Sequence, residues 1–258
     1  MAIFHLYSKE TFHKLHSTKT EKYPSKQKII AISPHSDDLS VNCGGAMAIL
    51  APQNKITPIL FYVGYRGVEK VNPEQGTKIR EREMQKEAKI LGLKKPIFLR
   101  LGSYEKNDSL TFRKDIKKIA SYLQKIQPDI IFLPQENDLQ PRHKLAAKLT
   151  LAAFKKIKGG KRIQLFFYES VWSLFGAFDF NSAFTIPSAI MAKKMRAIRA
   201  HRSQLQRTAF DQAAENLASF RSAIVPEQRM GGYGTKNQKI AEYMEVFYQT
   251  SLRARAKQ

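Results

Sequence analysis

Short apolar runs alternate with longer amphipathic segments along most of this chain. The apolar runs are bounded by polar residues, which is typical of buried strands, and they lie at 28–33, 56–63, 96–101, 129–133 and 163–168. The intervening segments space their apolar residues as helices do, and we predict helices at 44–51, 79–91, 112–126 and 144–154. Beyond residue 170 the pattern weakens, and we predict two further helices at 187–206 and 211–219 and a loop at 230–234.

Strands that alternate with helices favour a parallel sheet covered on both faces. Right-handed crossovers then give a Rossmann-like, doubly wound α/β fold with a mostly parallel sheet. We find no internal repeat, low-complexity tract or linker, so we predict one domain over residues 28–258. Residues 1–27 are polar and basic with little periodicity, and are predicted as a basic N-terminal arm. In such folds the functional groups lie in loops at the carboxyl ends of strands.

The charge balance is strongly basic. Forty-four Lys and Arg residues oppose twenty-two Asp and Glu residues, for a formal net charge of +22. A field of this sign attracts polyanions, which include nucleic acid, anionic lipid, phosphorylated glycan and nucleotide sugars. A solvated basic surface without a partner is equally compatible with this composition. The net charge therefore indicates which partners the protein attracts and does not indicate which reaction it catalyses.

Cysteine usage and hydropathy bear on the compartment. Cys43 is the single cysteine, so no intramolecular disulfide forms, as expected in a reducing compartment. The apolar run at the start is too short for a secretory signal, and no apolar stretch has the length of a transmembrane helix. We predict a soluble cytoplasmic protein. The Lys- and His-rich segment 9–28 is compatible with peripheral attachment to an anionic surface.

Two clusters of metal-ligating side chains follow predicted strands. His35, Asp37 and Asp38 come directly after the first strand, and Asp138 and His143 follow the fourth. In a doubly wound sheet these strands can be neighbours where the strand order reverses. Two imidazoles and one carboxylate around an open position are the ligands of a catalytic zinc, and a spare carboxylate can act as a base. The alternative is a turn with an Asp cap on the following helix.

Both clusters resemble the signatures of a known enzyme family, the LmbE-like (PIG-L) N-deacetylases. The stretch 30–40, followed by Cys43-Gly44-Gly45, resembles that family's strand, His-Pro-Asp-Asp-Glu run and Gly-Gly pair. The stretch 133–143 resembles its second signature, Pro, then Asp, then His-Pro-Asp-His. Weaker similarities, in the right order, lie at Arg80 and Glu83, Ala88 to Gly92, His201 to Gln204, and 241–247.

The resemblance implies a zinc-dependent amidohydrolase with Zn²⁺ as its cofactor. It implies that His35, Asp38 and His143 ligate the zinc and that Asp37 is the general base. The reaction would remove an acetyl group from an N-acetylated amino sugar, such as N-acetylglucosamine, or from a conjugate of one. The positive field favours an anionic substrate among these.

This chain departs from the family pattern at four positions. Ser36 replaces the usual Pro and Leu39 the usual Glu, and neither change removes a ligand. Gln140 stands where the family has a His that stabilises the oxyanion or protonates the leaving amine, and Arg142 replaces the Asp that tunes it. A glutamine donates hydrogen bonds but transfers no proton at neutral pH. Gln140 and Arg142, together with Arg66 after the second strand, are candidate substrate contacts.

The departures support a second hypothesis of a different class. A catalytically weakened family member would use its basic surface to bind anionic glycan, lipid or nucleic acid. Gln140 is the residue that favours it. The retention of three ligands and a base favours the enzyme, because a binding scaffold has no physical need for that set.

Overall fold

The computed structural model describes residues 4–6, 19–21, 23–176, 179–230 and 242–256. Within these ranges the strands are β1 (Phe4–Leu6), β2 (Lys19–Glu21), β3 (Lys28–Ser33), β4 (Lys55–Leu60), β5 (Ile97–Phe98), β6 (Ile130–Pro134), β7 (Arg162–Tyr168), β8 (Ser182–Ile186) and β9 (Tyr243–Arg253). The α-helices are α1 (Asp38–Leu50), α2 (Pro73–Leu91), α3 (Ser109–Ile126), α4 (Pro141–Phe154), α5 (Ser188–Ile198), α6 (Arg202–Leu205) and α7 (Phe210–Met230). Among the described helices, none has the length and apolar character that crossing a bilayer requires.

The described strands form one sheet in the order β2-β1-β8-β9-β7-β6-β3-β4-β5. Strands β5, β4, β3, β6 and β7 are mutually parallel, and β3 pairs with both β4 and β6. The chain therefore builds outward from β3 in one direction and then returns to its other side with β6. This reversal is the topological switch point at which doubly wound folds form their sites.

The side chains of β3 show why the sheet is covered on both faces. Ile30 and Ile32 belong to one buried cluster, which includes residues of α3 and α4. Ile29 and Ala31 belong to a second cluster, which includes residues of α1, α2 and α5. Successive side chains of a strand point to opposite faces, so a continuous apolar run is what a strand between two helical layers requires. The predicted Rossmann-like α/β fold is confirmed.

The second half of the sheet was not predicted. Strand β9 pairs antiparallel with both β7 and β8, which extends the parallel sheet by an antiparallel part. Strands β1 and β2 then add to the edge beyond β8, so the predicted N-terminal arm contributes two strands to the sheet. The boundaries predicted for the domain itself stay a prediction, and most of segment 9–28 and residues 231–234 lie outside the described residues.

Several predicted boundaries shift in the structure. Helix α1 begins at Asp38 rather than at Gly44, because its polar first turn interrupts the apolar signal. The predicted third strand at 96–101 is reduced to Ile97–Phe98. The single helix predicted at 187–206 is two helices, α5 and α6, and α7 runs well beyond residue 219.

Helix α1 contains a kink that the Gly44-Gly45 pair makes room for. Cys43 has non-helical dihedral angles, so the second half of the helix begins with free backbone N–H groups. Glu245 of β9 accepts hydrogen bonds from the backbone N of Gly45 (2.8 Å) and of Ala46 (2.7 Å). Lys194 of α5 pairs with the same carboxylate at 2.7 Å. A buried carboxylate thus ties the helix after β3 to the antiparallel part of the sheet.

Substituting Gly45 with alanine is expected to destabilise the fold. The added methyl carbon would lie 2.8 Å from both Glu245 Oε1 and Ile186 Cδ1, which is closer than a side-chain β-carbon approaches other atoms in proteins. Overpacking of this kind costs about 1–3 kcal/mol, measurable as a lower free energy of unfolding in urea. Gly44→Ala is the matched control, because its methyl would lie 3.1 Å from Cγ of Lys194, a contact that a shift of a few tenths of an ångström relieves. Equal stability of the two variants would contradict this account of the kink.

A candidate metal centre at the switch point

The loops that follow β3 and β6 bring three potential metal ligands together. His35, Asp38 and His143 each offer one ligand atom, and these atoms all lie within 4.8 Å of one another. His35 precedes α1, Asp38 begins it, and His143 lies in the first turn of α4. The structure therefore places the three predicted ligands at neighbouring strand ends, as the sequence predicted for a parallel sheet.

Asp38 lies between the two histidines. Its Oδ1 is 3.2 Å from Nε2 of His143, and its Oδ2 is 3.2 Å from Nδ1 of His35. The backbone N of His35 also donates to Asp38 Oδ2 at 2.7 Å, which fixes the loop between β3 and α1. Burial alone would raise the pKa of Asp38, but His143 and His35 hold it well below its ordinary value. Asp38 is thus an ionised carboxylate, the form that binds a cation.

His143 is held from both sides by carboxylates. It is 1% exposed, and its Nδ1 lies 3.1 Å from Oδ2 of Asp138, while its Nε2 faces Asp38. Burial would lower the pKa of His143, but Asp38 and Asp138 raise it to about 10. A carboxylate on one nitrogen of a histidine orients the other nitrogen toward a metal. The sequence placed Asp138 in the second cluster without a role. Its contact with Nδ1 indicates that it orients the His143 ring.

The donor set fits a catalytic zinc. Two imidazoles and one carboxylate leave a further coordination position, as catalytic zinc sites do. The pairing of Asp138 with His143 supplies the outer hydrogen bond that such ligands have. The three residues could therefore hold a divalent cation.

Asp37 lies beside these ligands and does not cap the helix. It occupies the N-cap position of α1, but its side chain makes no capping hydrogen bond. Its Oδ1 instead accepts a hydrogen bond from Nη2 of Arg80 at 2.9 Å, and Asp37 is only 7% exposed. Burial would raise the pKa of Asp37, but the Arg80 guanidinium more than offsets this and lowers it. The Asp37 carboxylate therefore pairs with Arg80 and does not act as the simple helix cap of the alternative interpretation.

Helix α2 carries three buried charged side chains, of which Arg80 lines the cavity. Arg80 reaches Asp37, while Glu83 accepts hydrogen bonds from the backbone N and the hydroxyl of Ser203 at 2.9 and 2.7 Å. Glu87 lies 2.5 Å from Nε2 of His201. Burial raises the pKa of Glu87, although His201 opposes the shift. Arg80 and Glu83 stood out in the sequence by resemblance alone, and their three-residue spacing places them on one face of the helix.

A cavity of about 210 Å³ opens onto the metal ligands. Besides the three ligands and Asp37, its walls include all three predicted substrate contacts, Arg66, Gln140 and Arg142. Trp172, 54% exposed, and Phe210 also line it, and their rings meet edge to face at 6.1 Å.

The three predicted substrate contacts differ in their surroundings. Gln140 is the N-cap of α4, and its Oε1 accepts from the backbone N of Arg142 at 2.5 Å. Its Nε2 lies 3.5 Å from Nε2 of His35, so the carboxamide lies between the first turn of α4 and the imidazole of His35. The Arg142 guanidinium lies 4.2 Å above the Tyr62 ring. Arg66 is two-thirds exposed and pairs with Glu105 at 3.3 Å.

Residues 30–154, which contain both clusters, match the family model described as PIG-L: GlcNAc-PI de-N-acetylase. These residues, just under half of the chain, are a PIG-L family domain. A curated relative, the diacetylchitobiose deacetylase of Thermococcus kodakarensis, is 26% identical over 197 residues, which are 71% of this chain and 72% of the relative. The family and the hydrolytic N-deacetylase class predicted from the sequence are therefore confirmed.

Two solved structures share the fold of this chain. The N,N'-diacetylchitobiose deacetylase of Pyrococcus horikoshii superposes with a TM-score of 0.67 at 21% identity, covering 87% of this chain and 84% of that one. The 4-carboxy-2-hydroxymuconate hydratase GalB of Pseudomonas putida KT2440 superposes with a TM-score of 0.65 at 20% identity, covering 90% and 99%. One fold thus carries two different reactions, so the reaction has to be argued from the site.

Substituting Asp138 with asparagine is expected to weaken metal binding at this site by roughly ten- to a hundredfold. Asparagine retains a hydrogen-bond acceptor near Nδ1 of His143 but removes the charge that orients and polarises the ring. Competition with a chromophoric chelator measures the change in affinity. Asp129→Asn is the control, because Asp129 pairs with Lys161 and lies at the opposite end of β6. Equal metal affinity of both variants would remove Asp138 from the metal centre.

Proposed function

We propose that this protein is a zinc-dependent hydrolase that removes the acetyl group from an N-acetylated amino sugar or its conjugate. The observation that carries the proposal is a nearly buried, ionised Asp37 directly beside the set of His35, Asp38 and His143, at the wall of a cavity. A zinc ion bound by this set would supply Lewis acidity to a water molecule and to the acyl oxygen of the substrate.

Asp37 serves as the general base in this proposal. Its pKa lies below the ordinary value because Arg80 pairs with it, so it is deprotonated at neutral pH and can accept a proton from water. Arg80 is itself buried and holds the carboxylate in place through the 2.9 Å contact. The arginine thereby orients the base and keeps it charged.

The proton for the leaving amine also has to come from Asp37. Amide cleavage needs a proton on the departing nitrogen, and Gln140 has none to give at neutral pH. An arginine side chain in a protein does not act as a proton donor to substrate, so Arg142 is equally unsuitable. In this proposal His35, Asp38 and His143 are occupied as metal ligands, so Asp37, having accepted a proton from water, is the acid left among the described residues that line the cavity. Gln140 is left with hydrogen-bond donation to the acyl oxygen or the substrate.

The substrate class is supported by the relatives and by the cavity. Two of the proteins compared above are named as diacetylchitobiose deacetylases, and chitobiose is an amino sugar. The Trp172 and Phe210 rings line the cavity, and aromatic faces present an apolar surface for the face of a sugar ring. N-Acetylglucosamine units are the simplest ligands of this kind. A cytoplasmic location stays a prediction, supported by the free, buried Cys43.

Acetate release from a panel of N-acetylated sugars tests the proposal. We expect acetate from at least one member of the panel, its loss on adding a chelator, and its recovery on adding zinc. The panel contains N-acetylglucosamine, N,N'-diacetylchitobiose, N-acetylglucosamine 1-phosphate and N-acetylmuramic acid. A zinc-loaded protein that releases no acetate from any of them, while it binds a polyanion in a salt-dependent manner, would support the alternative of a weakened binding protein.

A further inference from the structure

The cavity beside the metal ligands has more positive than negative side chains in its walls. Its carboxylates are already engaged, Asp37 by Arg80 and Asp38 by the two histidines. Four arginines line it, namely Arg66, Arg80, Arg142 and Arg207. Arg80 and Arg66 are paired, with Asp37 and Glu105 respectively. Within the described part of the chain, Arg142 and Arg207 remain without a carboxylate partner.

Arg142 lies over an aromatic ring. Its guanidinium carbon lies 4.2 Å from the centre of the Tyr62 ring, which stacks on Tyr104 at 5.2 Å. The Tyr62 hydroxyl donates to Glu105 at 2.5 Å, which fixes the ring. A guanidinium stacked on a ring keeps the N–H donors in its own plane available for a ligand. Arg142 is thus a positioned cation.

Arg207 is placed by a turn that contains a glycine. The side chain of Gln204 donates from Nε2 to the carbonyl of Gly67 at 3.0 Å, which ties α6 to the turn after β4. The backbone N of Arg207 donates to the carbonyl of Gln204 at 3.0 Å. A methyl group at Gly67 would lie 3.1 Å from Nη1 of Arg207, so glycine leaves the room that the guanidinium occupies. Arg207 therefore contributes a second cation to the same cavity.

We propose that Arg142 and Arg207 bind an anionic group, phosphate or carboxylate, on the N-acetylated substrate. The inference rests on the proposed function and adds to it the charge of the substrate. An anionic group is repelled by Asp37 and Asp38 and attracted by the two unpaired guanidinium groups. Guanidinium groups match the paired oxygens of phosphate and carboxylate through charge-assisted hydrogen bonds. The acetamido group then lies at the metal centre and the anionic group at the arginines.

The test is the ratio of kcat/KM for an anionic substrate to that for a neutral one. N-Acetylglucosamine 1-phosphate and N-acetylmuramic acid are the anionic substrates, and N-acetylglucosamine is the neutral reference. We expect a ratio well above one for the natural chain with at least one anion. Arg207→Gln is expected to lower that ratio by roughly tenfold or more, through KM, and Arg142→Gln is expected to act in the same direction.

Arg82→Gln is the matched control. Arg82 lies exposed on α2, outside the cavity walls, and its loss lowers the net charge of the protein by the same amount. The control is expected to retain the ratio of the natural chain, which separates a local site from the general positive field. A ratio near one in the natural chain, or an equal fall in Arg82→Gln and Arg207→Gln, would overturn the proposal.

A binding measurement separates this inference from the proposed deacetylation. Glucosamine 1-phosphate is titrated into the zinc-loaded natural protein and into Arg207→Gln, and the heat of binding is recorded. Weaker binding to Arg207→Gln supports the anionic site even where no sugar is deacetylated. Equal binding to both proteins overturns the site even where deacetylation is observed.

Discussion

Asp37→Asn is expected to abolish nearly all acetate release while the metal stays bound. Asparagine has the size of aspartate but accepts no proton from water, so the base is lost and the ligand set is retained. General-base catalysis contributes roughly a hundred- to ten-thousandfold to a rate, and we expect kcat to fall by a factor in this range. Steady-state acetate release and the metal content of the same preparation measure the two effects.

Asp108→Asn is the control for this substitution. Asp108 caps α3 through the backbone N of Thr111 at 2.8 Å, lies outside the cavity, and asparagine caps a helix equally well. We expect this variant to retain the activity of the natural chain. Turnover by metal-loaded Asp37→Asn at a rate close to that of the natural protein would show that another group accepts the proton, and would remove Asp37 from the mechanism.

His143→Ala is expected to abolish metal binding. The set of His35, Asp38 and His143 loses one of its two imidazoles, and Asp138 is left facing no histidine. The zinc content is expected to fall from about one ion per chain to a small fraction of that. Zinc stabilises a protein that binds it only when folded, by about 2.7 kcal/mol at a hundredfold excess over Kd. The melting temperature of the natural chain therefore rises when zinc is added. His143→Ala is expected to lose this zinc-dependent increase.

The protonation of His143 adds a second measurement. Its pKa is raised to about 10 by the neighbouring carboxylates, so a proton has to leave before the imidazole can bind a metal ion. Zinc binding by the natural chain is expected to release a proton at neutral pH, detectable in buffers of different ionisation enthalpy. His201→Gln is the control, since His201 is equally buried but faces Glu87 outside the ligand set. Full zinc binding by His143→Ala would exclude His143 as a ligand.

Much of the parallel half of the fold could be predicted, because its elements are defined by local patterns. Strand β3 is a continuous apolar run, and such a run is buried on both faces between helices. The antiparallel strands β8 and β9 were missed. Strand β9 has exposed and half-buried residues toward its end, and its pairing with β7 joins residues far apart in sequence. The local pattern of apolar and polar residues carries no information on such a pairing.

The meeting of the three candidate metal ligands was predictable for a similar reason. His35 and Asp38 lie within four residues, and His143 follows a strand that the switch-point rule places next to β3. The pairing of Asp37 with Arg80 was not predictable, because Arg80 lies on a helix after another strand. The role of Gln140 as a helix cap also needed the structure, since its contact with the backbone of Arg142 depends on where α4 begins.

The amino-acid sequence by itself determined the alternation of elements and the two clusters of candidate ligands, because each depends on the period or position of a few neighbouring residues. The assignment of Asp38 as a ligand and Asp37 as the base came from the family resemblance. The tertiary structure decided how the base is charged and which cations remain unpaired in the cavity. Arg80 is engaged by Asp37 and Arg66 by Glu105, whereas Arg142 and Arg207 have no carboxylate partner among the described residues. The interaction energy of two charges falls as their separation grows, and only the folded chain sets the distances between them.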